Sequence, residues 1–310
     1  MDVGVIGVGT MGENHLRVYS GLRGVDSLYL FDVDHAAAER LACEHDATAC
    51  PTLDALLARV DAVSICTPTP LHHPIAGAAI SAGVHILVEK PLCATAAEAR
   101  DLIAHIPDDL TVGVGHIERF NPIVPEIRAI VSRPLYVEFN RHNPASGRIT
   151  DASVVEDLMI HDIDIAAHVL FTETPHPFTI SGAGTPDVCT ALFTAGTTPI
   201  SLSASRKSSK KIRRIYIEEE SFTIEGDFMA QEVSIYRKPD QYAAVNERYV
   251  QENIIETVLV NQVEPLKVEL ATFLDCARHG RPFPITPGQA ATNLAICEEI
   301  NASANGHSCD

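Results

Sequence analysis

Through the first 120 residues, short, largely apolar runs alternate with longer stretches of helical spacing. Val3–Ile6, Ser27–Phe31, Asp61–Cys66, Val84–Val88 and Thr111–Val114 have the length and apolar content of buried strands. Between them, the stretch through Leu16 and Val18, His35–His45, Leu53–Leu57, Pro74–Ala82 and Thr95–Ile106 read as helices, with a short extended segment near Ala47–Cys50. Thr95 and Glu98 stand in capping-box spacing at the start of the last of these. Strand and helix in turn predict a parallel sheet covered by helices. The pattern changes after the stretch Gly115–Pro122, taken as the boundary between domains 1–121 and 122–310. A helix over Val124–Ser132 and a strand over Leu135–Arg141 lead to a largely apolar helix, Val154–Val169. Short alternating segments follow at 178–183, 187–193, 199–204, 212–218, 222–225 and 233–236, predicting an antiparallel sheet with one open face. Helices over Pro265–His279 and Thr286–Ser303 close the chain.

Composition narrows the classes of function. The 310 residues suffice for two domains, and a 46% hydrophobic, 21% charged make-up is that of a globular protein. A net charge of −18 argues against general nucleic-acid binding, since phosphate is repelled everywhere except at a local basic patch. No apolar run reaches membrane-spanning length, and a strand pattern starts directly after Met1-Asp2 in place of a basic leader, so the expected compartment is the cytoplasm. The eight cysteines form no C-x-x-C pair, which fits reduced thiols and argues against a metal site.

Chemistry concentrates at the ends of the predicted strands. Gly7-Val8-Gly9-Thr10-Met11-Gly12 sits between a strand and a helix. There Gly7 permits the turn, Gly9 lets backbone approach a pyrophosphate, and Gly12 lets helix pack on strand, with the phosphates at the helix start beside Thr10 and Met11. Asp32 ends the second strand about twenty residues later, where an acid accepts from the ribose of NAD. Thr67 and Pro68 follow the next strand, and His72 lies a few residues on, beside the expected cofactor. The strand ending in Glu89-Lys90-Pro91 is stopped by its proline, which puts Glu89 and Lys90 at the floor of the crevice. In the second half, Asp157 and His161 are one helical turn apart, with Asp164 on the same side, a spacing suited to an acid that orients an imidazole. A single strongly basic stretch, Arg206 to Arg214, is the natural place for an anionic ligand in an acidic chain.

The opening glycine motif, Glu89-Lys90-Pro91 and Asp157-x-x-x-His161, in this order and spacing, resemble the glucose–fructose oxidoreductase/inositol dehydrogenase family. That resemblance implies an α/β protein with an NAD-binding Rossmann domain, then an α/β domain with an open, mostly antiparallel sheet, assembled as a homodimer or homotetramer. It also implies that Lys90 and His161 face the sugar hydroxyl being oxidised, with Asp157 beside them. Many members carry a glycine-rich run before the Asp and a Gly before the His, where this chain has Ser153-Val154-Val155-Glu156-Asp157-Leu158-Met159-Ile160-His161. With His116-Ile117-Glu118-Arg119-Phe120-Asn121-Pro122, that form is similar to the nucleotide-sugar branch, whose UDP-N-acetylglucosamine 3-dehydrogenases oxidise the 3-hydroxyl to a 3-keto sugar. On this reading Arg119, Asn121 and Arg206 are substrate-side contacts. The alternatives are a dehydrogenase of a free sugar or inositol and a non-catalytic NAD-binding sensor. Intact Lys90, Asp157 and His161 count against the sensor, which needs none of them. Which of Lys90 and His161 is the base stays open at this level.

Overall fold

Six parallel strands carry the N-terminal part of the molecule, seen here in a computed structural model that describes residues 1–144, 152–173, 179–238, 242–245, 248–251 and 254–305. They are β1 (Asp2–Ile6), β2 (Ser27–Phe31), β3 (Thr48–Ala49), β4 (Ala62–Ile65), β5 (His85–Glu89) and β6 (Val112–Gly115). Their order in the sheet is β3-β2-β1-β4-β5-β6, that of a doubly wound dinucleotide-binding fold. Every residue of β4 and β6 is buried, as expected of parallel strands covered on both faces. The covering helices are α1 (Thr10–Tyr19), α2 (His35–Glu44), α3 (Leu53–Leu57), α4 (His72–Ser81) and α5 (Ala96–Ala104). Side chains cap three of them: Asp34 accepts from Ala37 N–H, Thr52 from Ala55 N–H and Thr95 from Glu98 N–H. The return contact of Glu98 goes to Ala94 N–H, one residue earlier than the capping-box spacing predicts.

Two compact units divide the chain, one of Met1–Phe120 with Glu264–Ala295, the other of Asn121–Val263 with Ile296–Asp310. Everything after residue 121 is predicted as one domain, whereas residues 264–295 group with the first unit. The reason is hydrophobic: Leu266, Leu270, Phe273 and Leu274 of the helix Pro265–His279 are buried in the same core as β1, β4 and α1. Arg278 also donates to Gly24 O at 2.9 Å, in the turn before β2.

The second unit is built on an eight-stranded sheet. Its strands, in chain order, are β7 (Tyr136–His142), β8 (Thr179–Thr185), β9 (Val188–Ala195), β10 (Thr198–Ser205), β11 (Ile212–Glu218), β12 (Phe222–Asp227) and β13 (Glu232–Arg237), with a last strand at Ile254–Val258. All neighbours are antiparallel except β7 and β10. Burial alternates along β7 and β9, so one face meets the core and the other stays open. Val137, Phe139, Phe193, Leu202, Ile215 and Ile217 line that core with Val155, Met159 and Ile163. The Ile254–Val258 strand and a separate two-stranded hairpin, Tyr242–Val245 with Arg248–Gln251, escaped the sequence reading. No residue of Ile254–Val258 is buried, so its sequence carries no alternation to betray it. Among the described residues, no helix is long and apolar enough to cross a membrane.

Candidate active site

The turn after β1 shows why its glycines are needed. Gly7 has φ +87°, and a Cβ there would come within 2.8 Å of Thr67 N. Gly12 is tighter still, since its Cβ would stand 1.9 Å from Gly7 O. Nothing lies within 4 Å of a Cβ built on Gly9, which leaves that side of the turn open. The first turn of α1, beginning at Thr10 and Met11, receives no side-chain cap, so its N–H groups point outward as anion donors. Asp32 fixes the same turn: its carboxylate accepts from Val8 N–H at 2.6 Å and from Asp34 N–H at 2.8 Å. Each carboxylate oxygen keeps acceptor capacity for a sugar hydroxyl. Thr67 Oγ1 is buried without a hydrogen-bond partner among the described residues. Donors at the helix start, an open glycine and a fixed acid suit a dinucleotide.

Glu89 and Lys90 sit at the carboxyl end of β5. Glu89 is only 8% exposed and takes a 2.9 Å hydrogen bond from His15 Nε2. Burial by itself would raise the Glu89 pKa. The His15 hydrogen bond, the nearby positive charge of Lys90 and the Lys90 N–H outweigh it and hold the carboxyl below its usual range. The Lys90-Pro91 peptide is cis. His72, expected beside the cofactor, is 1% exposed and spends both ring nitrogens on backbone, Nδ1 on Pro91 O and Nε2 on Thr67 O, each at 2.8 Å. Pro68 is exposed. Arg119 donates to Gln289 Oε1 at 3.0 Å and to Pro284 O at 3.3 Å.

Asp157 and His161 lie in the second unit, each half-buried. The helix that bears them is not regular: Val155–Met159 and Ala166–Leu170 are π-helical and flank an α-helical Ile160–Ile165. Such π turns recur at functional sites. The start of this helix is tied by Ser153 and Glu156, Ser153 N–H donating to Glu156 Oε2 at 2.8 Å. Asn301 donates to the other Glu156 oxygen at 2.8 Å. Next to His161, Asp162 is buried and meets Arg141 of β7 through Nε and Nη2 at 2.7–3.0 Å. Asn121, expected on the substrate side, is 3% exposed, donating to Phe228 O and accepting from Ile123 N–H. Arg206, also expected there, is 8% exposed and directs its guanidinium to Pro186 O at 2.9 Å, Ala152 O and Asp187 at 2.8 Å. Lys207, Lys210 and Arg214 of the basic stretch are exposed.

Residues 1–116 match the family model described as oxidoreductase family, NAD-binding Rossmann fold. A UDP-N-acetylglucosamine 3-dehydrogenase of Acidithiobacillus ferrooxidans is 36% identical over 247 residues, 77% of each chain. Its solved structure superposes with a TM-score of 0.86 at 31% identity over 99% of this chain and 98% of that one. This chain belongs to the Gfo/Idh/MocA oxidoreductase family. An inositol 2-dehydrogenase of Acidothermus cellulolyticus, 32% identical over 58% of this chain and 56% of its own, is similar too. A levoglucosan dehydrogenase solved with NADH and L-sorbose shares the fold, with a TM-score of 0.81 at 18% identity over 99% and 97% of the two chains. As a Gfo/Idh/MocA member, the chain is an NAD-dependent dehydrogenase with an NAD-binding Rossmann domain.

Three buried side chains that contact or neighbour the predicted residues within each unit went unnoticed in the sequence. His15 follows Gly12 by three residues and sits among Leu16, Val18 and Tyr19, so it reads as one polar interruption of an apolar helix face. Arg141 and Asp162 lie 21 residues apart and sit on a strand and a helix. A signal was present for each, an ionisable residue at a position the pattern makes apolar, but its partner is visible only in the fold.

Proposed function

We propose that this enzyme oxidises a secondary hydroxyl of a nucleotide sugar, the 3-hydroxyl of UDP-N-acetylglucosamine, to a ketone, with reduction of NAD. The observation that carries this reading is the whole-length likeness to the Acidithiobacillus ferrooxidans UDP-N-acetylglucosamine 3-dehydrogenase. The exposed cations Lys207, Lys210 and Arg214 support it, since a diphosphate needs such donors and the chain is otherwise acidic. Oxidising a secondary alcohol removes a hydride from carbon and a proton from oxygen. NAD, when bound, would supply the hydride acceptor. Lys90 and His161 are the groups that handle the proton, and Asp157, one turn before His161, orients its imidazole. The Gly7–Gly12 turn would hold the pyrophosphate and Asp32 the ribose. A turnover screen with NAD against UDP-, dTDP- and GDP-sugars and free inositols tests the substrate. NADH formation from UDP-N-acetylglucosamine is expected; turnover of a free inositol or sugar alone would replace this reading with a polyol dehydrogenase.

Asp32 also sets the cofactor preference. A 2′-phosphate would meet its carboxylate, and the residues that follow, Val33 and Asp34, offer no arginine. Like charges at such range cost about 1–4 kcal/mol near a surface, so kcat/KM with NAD should exceed that with NADP at least about five-fold. Equal efficiency with NADP would refute this role. For Arg206, the expected outcome is structural. Arg206→Ala strands the carbonyls of Ala152 and Pro186 and should lower the melting temperature. A ten-fold higher KM for a UDP-sugar at unchanged melting temperature would instead make Arg206 a direct substrate contact.

A further inference from the structure

We propose that two buried histidines set the position of Lys90, His15 through the Glu89 side chain and His72 through the Pro91 carbonyl. The inference rests on Lys90 being a reacting group, as proposed above, and makes the histidines positioning residues that never touch substrate.

The need arises from where Lys90 stands. On the β4 side the ladder of β5 ends at the Ile65–Val88 pair, and on the β6 side at Glu89–Gly115. Lys90 and Pro91 lie one and two residues beyond, so strand pairing does not hold them. His15, fully buried on α1, donates Nε2–H to Glu89 Oε1 at 2.9 Å, while Glu89 Oε2 accepts from Lys90 N–H at 3.3 Å. The ring of His15 is itself seated edge-on to Tyr19, whose hydroxyl bonds Ser64 Oγ at 2.8 Å. On the other side, His72 at the start of α4 spans from Pro91 O to Thr67 O. It therefore ties the segments that leave β5 and β4. A carbonyl oxygen only accepts, so both contacts are hydrogen bonds only when both ring nitrogens carry protons. A neutral ring would make one and set a lone pair against the other.

Both histidines are buried, His15 fully and His72 at 1% exposure, and a buried imidazole needs hydrogen-bond partners that an aliphatic residue would not. Their shared feature is that each terminates on a residue adjacent to Lys90. Sequence alone suggested a cofactor contact for His72, but its ring nitrogens are occupied by the backbone. A general acid/base displaced by about 1 Å loses roughly a hundred-fold in rate, which makes such bracing worth two buried polar side chains.

The test uses the full chain with His15→Gln and His72→Gln, each against wild type. Reductive methylation with 13C-formaldehyde gives an NMR signal for Lys90, identified by its loss in Lys90→Met, and this readout needs neither turnover nor a known substrate. Each variant should shift or broaden that signal and lower kcat about ten- to a hundred-fold, with KM and the NADH dissociation constant, read by fluorescence, within three-fold. An unchanged signal with unchanged kcat would overturn the proposal. So would NADH affinity falling in step with kcat, which would make His72 a cofactor contact. Asn variants accompany the Gln variants, and unfolding of both at either position would reduce that histidine to a core residue. If wild type oxidises no sugar at all, the substrate reading fails while the NMR comparison still decides the bracing.

Discussion

Lys90→Met and His161→Ala should each lower kcat by about 10²–10⁴-fold and leave NAD affinity nearly intact. A loss of that size is characteristic of removing a positioned proton-transfer group. The cofactor's proposed anchors lie elsewhere, at the Gly7–Gly12 turn and Asp32, whose geometry depends on Val8 and Asp34 backbone contacts rather than on either side chain. His161 sits on a helix whose start is held by Ser153, Glu156 and Asn301, so truncating its half-exposed ring should not unfold the second unit. Steady-state NADH production with the substrate found in the screen, fluorescence titration with NADH and thermal melts measure the three quantities. Turnover close to wild type in both variants would remove these residues from the chemistry. A collapse of the melting temperature in His161→Ala would show instead that the imidazole serves the fold.

Arg141→Ala should destabilise the second unit by about 3–5 kcal/mol, because it leaves the Asp162 carboxylate buried without its partner. Arg141 is 1% exposed and Asp162 2%, so water cannot replace the lost donors. The guanidinium also lies over the Phe228 ring at 5.4 Å, and that contact goes with it. In a unit of this size the melting temperature should fall by roughly 6–20 °C. The double variant Arg141→Met with Asp162→Leu should recover most of the stability, since well-packed apolar residues often replace a buried ion pair at little cost. Urea unfolding of the single and double variants checks both statements. A loss under about 1 kcal/mol in Arg141→Ala would mean that Asp162 finds other donors. In the double variant, kcat then reports whether the ion pair matters for the neighbouring His161 beyond holding the helix.

The α/β class, the parallel first sheet and the mostly antiparallel second one could be read from local pattern. Val3–Ile6 and Ala62–Ile65 are buried throughout and, but for Ser64, carry no polar side chain, because both faces of a parallel sheet are covered, and β9 alternates because only one face of its sheet is. The family was legible for a related reason. The close approaches of Gly7 and Gly12 tolerate no Cβ, so the turn is written as glycines in the sequence itself. Less legible was the helix of Asp157 and His161, predicted regular and found with π turns at both ends, because its apolar positions run around most of the circumference and leave no phase to follow.

Sequence by itself thus determined the elements whose cause is local: strand and helix type, the cofactor turn, the cap of α5 and the proline stop after Lys90. Tertiary structure alone decided what depends on a partner distant in the chain. It returned Pro265–His279 to the first unit, because that helix's apolar face is satisfied only against the core of β1, β4 and α1. It paired Arg141 with Asp162 and His15 with Glu89, and set the ring nitrogens of His72 against the backbone of Thr67 and Pro91. An ionisable residue inside an apolar pattern announces that it must have a partner, since unpaired burial is costly. Which partner it has is set by the packing that brings residues 74 positions apart, such as His15 and Glu89, to hydrogen-bond distance.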